Sequence, residues 1–407
     1  MSTMRRSEKA GSACTEASCR QCRSDRAFLR RLERPARTTH GRILRAVDLF
    51  AGCGGMSIGL EEAARRTGHV LEIPLAVDSD AHVIGVYRIN LPYAVAREAD
   101  VSVLFDGEIG QGPTPEERKL KKAVGDVDVL LGGPPCQGYS DLNNHTRRSD
   151  PKNALYLRMA RAAEVLSPKV VVVENVVPVQ LDENDVVGTT RETLTLAGYQ
   201  VASRVVDLRR TGVPQRRRRF LLLASKVAAL EPSATLDLLA ERLPDHPDRT
   251  VRWAIDDLVG RAPDDVYDTP SRSSNENAQR IDYLFERRLF DLPNSQRPEC
   301  HRDRDHTYVS MYGRLRWDAP AQTITTGFGS MGQGRYVHPS RRRTITPHEA
   351  ARLQTFPDWF DFGKRPPRGA LSKMIGNAVP PLMMVALGTQ IMHGLRDAAA
   401  AAVRRRA

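Results

Sequence analysis

A cysteine that follows two prolines is the residue of this chain best suited to nucleophilic chemistry. Cys136 comes directly after Pro134-Pro135, just past the apolar run 127–131. We expect that run to form a strand, so the thiol should lie on a loop at the strand's carboxyl end, where open α/β sheets bind ligands. A thiolate there could attack an electrophile. A lone cysteine can equally be a small buried core residue, so the position alone leaves both interpretations open.

A carboxylate is expected at the same edge of the sheet. Glu174 ends a second apolar run, 170–173, and the carboxyl ends of parallel strands lie on one side. Removal from water would raise the pKa of this carboxyl group and allow it to donate a proton. The alternative is a carboxylate that merely favours the start of a helix.

Four consecutive arginines precede a further apolar run, 220–224. Side chains alternate across an extended segment, so Arg217 and Arg219 should lie on one side and Arg216 and Arg218 on the other. One pair can then face the active edge while the other meets phosphate or solvent.

A glycine-rich turn follows the first expected strand and opens a helix. Gly52 and Gly54 lie within the segment 48–55, where glycine lets a ligand approach the backbone and the helix N-terminus adds N–H donors. Tight strand–helix packing would also need glycine there. Asp78 ends the next strand and could accept hydrogen bonds from ribose hydroxyls, and Asp100 could lie beside an adenine. The spacing differs from G-x-G-x-x-G and lacks a phosphate-loop lysine, which indicates an adenosine-bearing cofactor other than a nucleoside triphosphate.

The elements that would position these residues alternate along the chain. Apolar runs without polar alternation are typical of parallel strands covered on both faces. Helical segments at 58–66, 81–90 and 156–166 separate them. The pattern predicts an α/β fold, a Rossmann-like, doubly wound and mostly parallel sheet. The expected strands are 43–50, 73–77, 127–131, 170–173 and 220–224.

The charge of the chain favours a polyanionic partner. Its 407 residues carry 61 Lys and Arg against 49 Asp and Glu, a formal net charge of +12. Six of the eleven residues from Arg209 to Arg219 are arginine, which points to nucleic acid. We see no apolar stretch of membrane-spanning length and no secretion signal, so we expect a cytoplasmic, nucleoid-associated protein with no membrane partner.

Composition divides the chain into four expected segments. Residues 1–41 are polar and basic and should form a disordered tail, with one helix near 27–32. Residues 42–225 carry the strand–helix alternation of a catalytic, cofactor-binding domain. Residues 226–343 are rich in Asp, Arg and Pro and predict a second, smaller domain. Residues 344–400 should return to the catalytic domain.

The cysteines predict neither a metal site nor a disulfide framework. Cys14, Cys19 and Cys22 have a C-x4-C-x2-C spacing, but a tetrahedral zinc site needs a fourth ligand and only His40 is near in sequence. Cys300 and its neighbouring histidines are expected to be an incidental cluster. We therefore expect no metal.

Six motifs, in order from Ala46 to about Leu387, resemble those of the C5-cytosine DNA methyltransferases. Residues 48–55 resemble the S-adenosylmethionine loop, 133–137 the nucleophile motif, 174–176 the carboxylate motif and 215–219 the arginine motif. Residues 346–357 resemble the helix that supports a target-recognition domain, and 376–380 the last cofactor-contacting motif. Six motifs in one order are far more specific than any one of them.

The resemblance implies a role for each matching residue. Cys136 would attack C6 of a cytosine flipped out of the duplex. Glu174 would hydrogen-bond N3 and the exocyclic amine, protonating N3 as the adduct forms, and Arg219 with Arg217 would contact the base and neutralise developing charge. C5 would take the methyl group from S-adenosylmethionine, and β-elimination would release the cysteine. The expected cofactor contacts are Phe50, Gly52, Gly54, Asp78, Asp100, Pro135, Asn377 and Val379.

The resemblance also implies double-stranded DNA in a cleft between the catalytic and recognition domains. The loop 143–148, polar and basic, resembles the family's mobile loop that closes over the flipped base. Thr325 lies in a segment similar to the one that contacts phosphates around that nucleotide. Arg314 and Arg316 are candidate DNA contacts, although surface arginines are common.

Three other functions would each require, or dispense with, particular residues of this sequence. RNA-directed members of the family typically carry Cys-Phe-Thr in the recognition region, whereas Cys300 precedes His301. A catalytically dead DNA-binding relative would not need Cys136, Glu174 and the arginines, and the glycine spacing disfavours a dehydrogenase. We expect a monomer, either a solitary methylase or one half of a restriction–modification system whose restriction endonuclease acts separately.

Overall fold

The computed structural model describes residues 19–135, 155–241, 248–262, 265–302, 311–364 and 366–404. Cys136, Cys14 and the loop 143–148 lie outside these residues. The described strands are β1 (Arg42–Leu49), β2 (His69–Asp78), β3 (Ala96–Glu98), β4 (Val129–Gly132), β5 (Val170–Asn175), β6 (Gln200–Asp207), β7 (Gln215–Arg216), β8 (Arg218–Ser225) and β9 (Ala321–Gln322).

Seven of these strands form one twisted sheet in the order β3-β2-β1-β4-β5-β8-β6. The first five strands in that order are parallel, and β8 runs antiparallel between β5 and β6. All residues of β4 and β5 are buried, which explains why their sequences are continuous apolar runs. The predicted Rossmann-like, mostly parallel sheet is confirmed.

Helices cover both faces of the sheet. They are α1 (Arg20–Leu29), α2 (Gly55–Thr67), α3 (Ala81–Asn90), α4 (Val101–Leu104), α5 (Pro115–Val124), α6 (Leu157–Leu166), α7 (Val186–Leu196), α8 (Pro232–Ala240), α9 (Val251–Ile255), α10 (Asn275–Glu286), α11 (Glu299–Arg302), α12 (Pro347–Leu353), α13 (Arg368–Asn377) and α14 (Pro381–Arg404). Two hydrophobic clusters, one on each face, form the core.

The long helix α14 packs against α2, close to the start of the sheet. The stretch Arg368–Arg404 is long and apolar enough to cross a membrane by length and composition, but 67% of its most apolar part is buried inside the fold. The expectation that no segment reaches such a length is therefore wrong. Burial against α2 accounts for the apolar composition, because a helix packed in a protein core needs the same residues.

Part of the N-terminal segment, which the sequence predicted to be disordered, forms a helix that packs on the core. Helix α1 buries Phe28, 2% exposed, and Leu29, fully buried, in the same cluster as the sheet. Asp25, also buried, forms ion pairs with Arg66 and Arg249. The expected disordered tail to residue 41 is therefore wrong for residues 20–29. The helix expected near 27–32 begins at Arg20 and ends at Leu29, and its last two residues pack in the main cluster.

The residues that follow position 226 pack against the sheet-containing core. Apolar residues between 227 and 258 belong to the main cluster, including Trp253, which is fully buried. A separate cluster forms only farther along the chain, from Ile281, Leu284, Leu292, Tyr312, Met331 and Val337. The main cluster also contains Leu315, Ala321, Ile324, Phe328 and Tyr336, as well as buried residues from Ile345 onward.

Candidate active site at the carboxyl edge of the sheet

Glu174 and Arg219 form an ion pair where β5 ends and β8 begins. Arg219 Nε lies 2.8 Å from Glu174 Oε1. The antiparallel register pairs Glu174 with Leu221 and Asn175 with Phe220, which leaves Arg219 just beyond the end of β5. The Glu174 side chain is only 10% exposed and that of Arg219 14%. Because both side chains are largely removed from water, each charge is stabilised by the other in a charge-assisted hydrogen bond.

The segment that leads to Cys136 is held next to this pair. Asn175 Nδ2 donates a hydrogen bond to the Pro134 carbonyl oxygen at 3.3 Å. A Cβ atom added at Gly133 would lie 3.6 Å from Glu174 Oε2. Pro135, half-buried, is the last described residue before Cys136. The described part of the nucleophile motif, residues 133–135, therefore lies beside the carboxylate motif at this edge of the sheet.

Arg217 takes a different position from Arg219. Its guanidinium is buried and donates hydrogen bonds to the Ile324 carbonyl at 2.8 Å and to the Gly376 and Ala378 carbonyls at 3.3 Å. Arg217 is the residue between β7 and β8, so the chain bends there. These bonds direct the Arg217 guanidinium to backbone carbonyls, and its contact with the base beside Arg219 stays a prediction.

Two buried glutamines, not among the residues predicted for the site, join the same three segments. Gln215 Nε2 donates to the Gln354 side chain at 2.7 Å, and Gln215 Oε1 accepts from the Ile324 N–H at 3.0 Å. Gln354 Nε2 donates to the carbonyl of Ile375. Gln215 lies in the arginine motif, 215–219, and Gln354 in the segment 346–357. The sequence feature that could have indicated them is a single uncharged polar residue inside a segment expected to be buried.

The glycine turn lies at the ends of β1 and β2. Phe50 and Gly52 both have φ near +56°, and Gly54 has φ +100°, so the backbone here uses the left-handed region. The Gly52 N–H donates to Asp78 Oδ2 at 2.9 Å. Asp78 Oδ1 accepts a second backbone bond, from Asp80, at 3.0 Å. Asp78 thus holds the backbone of the glycine turn in place through its side-chain oxygens.

The C-terminal motif closes over this turn. A Cβ atom at Gly55, the first residue of α2, would lie 2.3 Å from the Val379 carbonyl oxygen. The Val379 side chain would lie 3.9 Å from a Cβ atom at Gly133. Asn377 is exposed at the end of α13. The expected cofactor residues of three distant segments are therefore brought together, and backbone there approaches closely enough that only glycine fits.

This cradle fits an adenosine-bearing ligand. Space above Gly52 is open, since a Cβ atom there would contact nothing within 4 Å. Asp100, exposed, begins α4, and its Oδ1 accepts hydrogen bonds from Ser102. Its second carboxylate oxygen can accept a bond from a ligand. The carboxylate oxygens of Asp78 and Asp100 are acceptors of the kind that the hydroxyl and amino groups of a nucleoside require.

The three candidate DNA contacts lie in different surroundings. Thr325 Oγ1 is 2.9 Å from the Tyr336 hydroxyl, beside the segment that Arg217 holds. The Arg314 guanidinium stacks on Phe285 at 3.9 Å and donates to the Pro339 carbonyl, and burial lowers its pKa. Arg316 is exposed and lies 4.0 Å over the Phe290 ring. The Arg314 guanidinium is therefore occupied by contacts within the protein. The Arg316 side chain, in contrast, is exposed to solvent.

The N-terminal cysteines take part in helix capping. The Cys19 sulfur accepts the Cys22 N–H at 3.3 Å, and burial raises the pKa of Cys22 to about 11. Within the described ranges, no group of three or more His, Cys, Asp or Glu side chains is arranged to hold a metal ion.

Comparison with known proteins gives a consistent result. The family model of the C-5 cytosine-specific DNA methylases matches residues 44–393. The type II methyltransferase M1.BsuMI of Bacillus subtilis is 43% identical over 372 residues, covering 91% of this chain and 85% of that protein. The type II methyltransferase M.XorII of Xanthomonas oryzae is 30% identical, covering 86% and 85%.

A solved structure supports the fold alone. The Dnmt2 methyltransferase of S. pombe superposes with a TM-score of 0.60 at 16% identity, over 87% of this chain and 99% of that one. The match of the family model over most of the chain and the 43% identity to a curated relative decide the assignment. The chain belongs to the C-5 cytosine-specific DNA methylase family and is a DNA (cytosine-5)-methyltransferase that takes its methyl group from S-adenosylmethionine.

Proposed function

We propose that Cys136, Glu174 and Arg219 carry the reaction at the carboxyl edge of the sheet. The observation that supports this most directly is the Glu174–Arg219 ion pair at 2.8 Å, beside the segment that leads into Cys136. A cytosine cannot be reached inside the base stack, so the target base must be flipped into this site.

In the proposed sequence of steps, the Cys136 thiolate forms a bond to C6 of the cytosine. Glu174 hydrogen-bonds N3 and the exocyclic amine, and its carboxyl group gives a proton to N3 as the electron pair of the C5–C6 double bond moves onto C5. Arg219 fixes the Glu174 carboxylate and balances charge on the base. C5, now enamine-like, accepts the methyl group that S-adenosylmethionine supplies. A water molecule then takes the C5 proton, the electron pair of that bond re-forms the C5–C6 double bond as the Cys136 thiolate leaves C6, and N3 returns its proton to Glu174.

We assign Arg217 a positioning role. Its bonds to the carbonyls of Ile324, Gly376 and Ala378 tie the arginine strand to two other segments. One of these contains Thr325, the candidate phosphate contact, and the other contains Asn377 and Val379, the candidate cofactor contacts. Arg217 therefore holds the base-binding, DNA-binding and cofactor-binding parts in one arrangement.

We propose that the cofactor lies in the cradle formed by Phe50, Gly52, Gly54 and Val379, with Asp78 accepting from the ribose and Asp100 beside the adenine. Pro135 and Asn377 border the same space. DNA would lie between the sheet edge and the smaller unit, where Thr325 and Arg316 could reach it. The excess of basic residues supports a polyanionic substrate.

We further propose that the enzyme works as a monomer in the cytoplasm, on the DNA of the nucleoid. A separate restriction endonuclease that cuts the same DNA sequence would be its functional counterpart. The type II methyltransferases to which the chain is similar support that arrangement.

Bisulfite sequencing of plasmid DNA tests the proposal directly. The chain, Cys136→Ser and the control Cys300→Ser are expressed separately in a methylation-free host. We expect cytosines protected in one short sequence context for the chain and for Cys300→Ser, whose thiol is exposed, and none for Cys136→Ser. Protection that survives in Cys136→Ser would overturn the nucleophile assignment. Protected cytosines in transfer RNA but none in DNA would overturn the substrate assignment.

A further inference from the structure

A buried carboxyl group lies at the base of the glycine turn, and the mechanism above does not use it. Asp48, next to last in β1, is 1% exposed. Its Oδ2 accepts a hydrogen bond from Ser57 Oγ at 2.6 Å. The Tyr87 hydroxyl donates to the same Ser57 oxygen at 2.8 Å. The other carboxyl oxygen, Oδ1, is buried and has no hydrogen-bond partner among the residues that the structure describes.

The elements packed around Asp48 place it next to the candidate cofactor site. Its register partners are Ala76 on β2 and Leu131 on β4, both apolar. Ser57 comes from α2 and Tyr87 from α3. Among the groups that act on it, the charged one is Asp78, the residue that holds the Gly52 N–H. Asp48 therefore lies on β1 just before the turn, flanked by β2, which ends at Asp78, and by β4, which leads to Gly133.

This environment makes the Asp48 carboxyl group titrate near neutral pH. Burial raises its pKa, the Ser57 hydrogen bond opposes that rise, and the negative charge of Asp78 adds to it, giving a pKa of about 7. A buried carboxyl with one unpartnered oxygen is the arrangement in which the neutral acid is favoured. Near neutral pH the group can change its charge at little cost in free energy.

We propose that the Asp48 carboxyl group, held by Ser57 below the glycine turn, makes the enzyme discriminate between its positively charged methyl donor and the neutral product. S-adenosylmethionine is a sulfonium cation, and loss of the methyl group leaves S-adenosylhomocysteine, an uncharged thioether. A carboxylate at Asp48 attracts the first and not the second. Ser57 is a positioning residue that orients the carboxyl group. This inference rests on the proposed cofactor role of the turn.

The direction of the pH effect follows from the charge. Below the pKa, Asp48 is neutral and the two ligands differ little in electrostatic attraction. Above it, the carboxylate strengthens binding of the sulfonium. For charges about 10 Å apart in a protein environment, the gain is about tenfold in affinity. By reciprocity, binding of the cation lowers the pKa of Asp48 and releases a proton near neutral pH.

Calorimetric titration of the protein with each ligand between pH 6 and pH 8.5 tests this, because it measures binding without turnover. Asp48→Asn keeps an oxygen that can accept from Ser57 but cannot ionise. We expect the ratio of the Kd for S-adenosylhomocysteine to that for S-adenosylmethionine to rise by about tenfold across this range in the wild type, and by much less in Asp48→Asn. The ligand's own amino group titrates alike with both proteins, so the difference between them isolates Asp48. An equal rise in both proteins would overturn the proposal.

Two further variants separate the possible failures. Ser57→Ala removes the bond that favours the carboxylate, so the midpoint of the pH effect should move to higher pH; an unchanged midpoint would contradict the proposal even if Asp48→Asn did not fold. Asp78→Ala releases the Gly52 N–H and should weaken binding of both ligands at every pH. If it binds both as the wild type does, the proposed cofactor site itself is wrong, whatever the result at Asp48.

Discussion

Arg219 and Glu174 meet at 2.8 Å because β8 runs antiparallel to β5 and begins where β5 ends. If β8 ran parallel to β5, its first residues would lie at the opposite edge of the sheet, and Arg219 would be far from Glu174. The antiparallel insertion brings the first residues of one strand to the last residues of its neighbour. A cation and an anion are thereby fixed by backbone hydrogen bonds before any substrate arrives, which is the preorganisation that catalysis of charge-developing reactions requires.

Arg219→Ala should lower the rate of methylation by about two to three orders of magnitude, because Glu174 then loses the cation that orients it. The affinity for S-adenosylmethionine should change little, since Arg219 does not touch the glycine turn. Single-turnover methylation of DNA and calorimetric binding measure the two effects. Arg218→Ala, an exposed neighbour on the opposite side, is the matched control and should stay within about threefold of the wild type. Equal losses in both variants would contradict the specific role of Arg219.

Arg217→Leu should reduce the free energy of unfolding by about 3–5 kcal/mol. The substitution leaves buried carbonyl oxygens of Ile324, Gly376 and Ala378 without the guanidinium that they accept from. Urea unfolding monitored by circular dichroism measures the change. The neighbouring exposed residue provides the control, because Arg216→Leu should alter stability by less than about 0.5 kcal/mol. A stable Arg217→Leu protein that has lost activity would instead support direct contact with the base.

Gly55→Ala should weaken cofactor binding by about tenfold or more. The added Cβ atom would lie 2.3 Å from the Val379 carbonyl oxygen, so the C-terminal motif must move away from the turn. Gly85→Ala adds the same atom to α3 with nothing within 4 Å, and should raise the free energy of unfolding by about 0.5–1 kcal/mol. Thermal shift with and without S-adenosylhomocysteine reports both changes. Unaltered ligand stabilisation in Gly55→Ala would show that the contact does not shape the site.

The stability of the protein should depend on the charge of His348. Burial opposes its protonation, but hydrogen bonds with Asp268 at 2.8 Å and Asp358 at 2.9 Å outweigh that effect and raise its pKa. A raised pKa stabilises the fold below the ordinary histidine value, and this stabilisation is lost as pH rises through the pKa in the fold. The pKa of Asp358 is lowered to about 2, so its charge is constant above pH 6.

We therefore expect the free energy of unfolding of the wild type to fall between pH 6 and pH 8 more steeply than that of His348→Gln. Denaturant unfolding at several pH values gives both slopes. His40→Gln, at an exposed position, should keep the slope of the wild type. Parallel curves for the wild type and His348→Gln would show that His348 stays neutral in the fold.

Phe28→Ala should destabilise the protein by about 3–5 kcal/mol, since Phe28 is only 2% exposed in the main hydrophobic cluster. Leu32→Ala, four residues later and 73% exposed, should change stability by less than about 0.5 kcal/mol. Comparing the two by thermal unfolding tests whether α1 is an integral part of the core. Similar small effects for both would mean that α1 can detach without loss.

The sequence predicted regular elements and motif positions better than it predicted side-chain directions. Helix α3 occupies 81–90 as expected, because an apolar face and Asp80, which caps its first turn, are both local signals. The direction of Arg217 was not predictable, since the alternation rule holds only while the strand is regular and the chain bends at that residue. The docking of α1 was missed for a related reason. Its anchors, Arg66 and Arg249, come from distant parts of the chain that no local pattern reveals.

The packing of α14 on α2 has a consequence for how the protein reaches its native state. Helix α2 ends at Thr67 and its partner begins at Pro381, so the contact joins segments that leave the ribosome far apart in time. Until the second helix emerges, the apolar face of the first has no permanent partner. Such long-range contacts slow folding, because the loop that connects them must close first. The apolar face of α2 therefore stays without its final partner during most of synthesis. The active fold, and with it methylation, can form only after α14 has been synthesised.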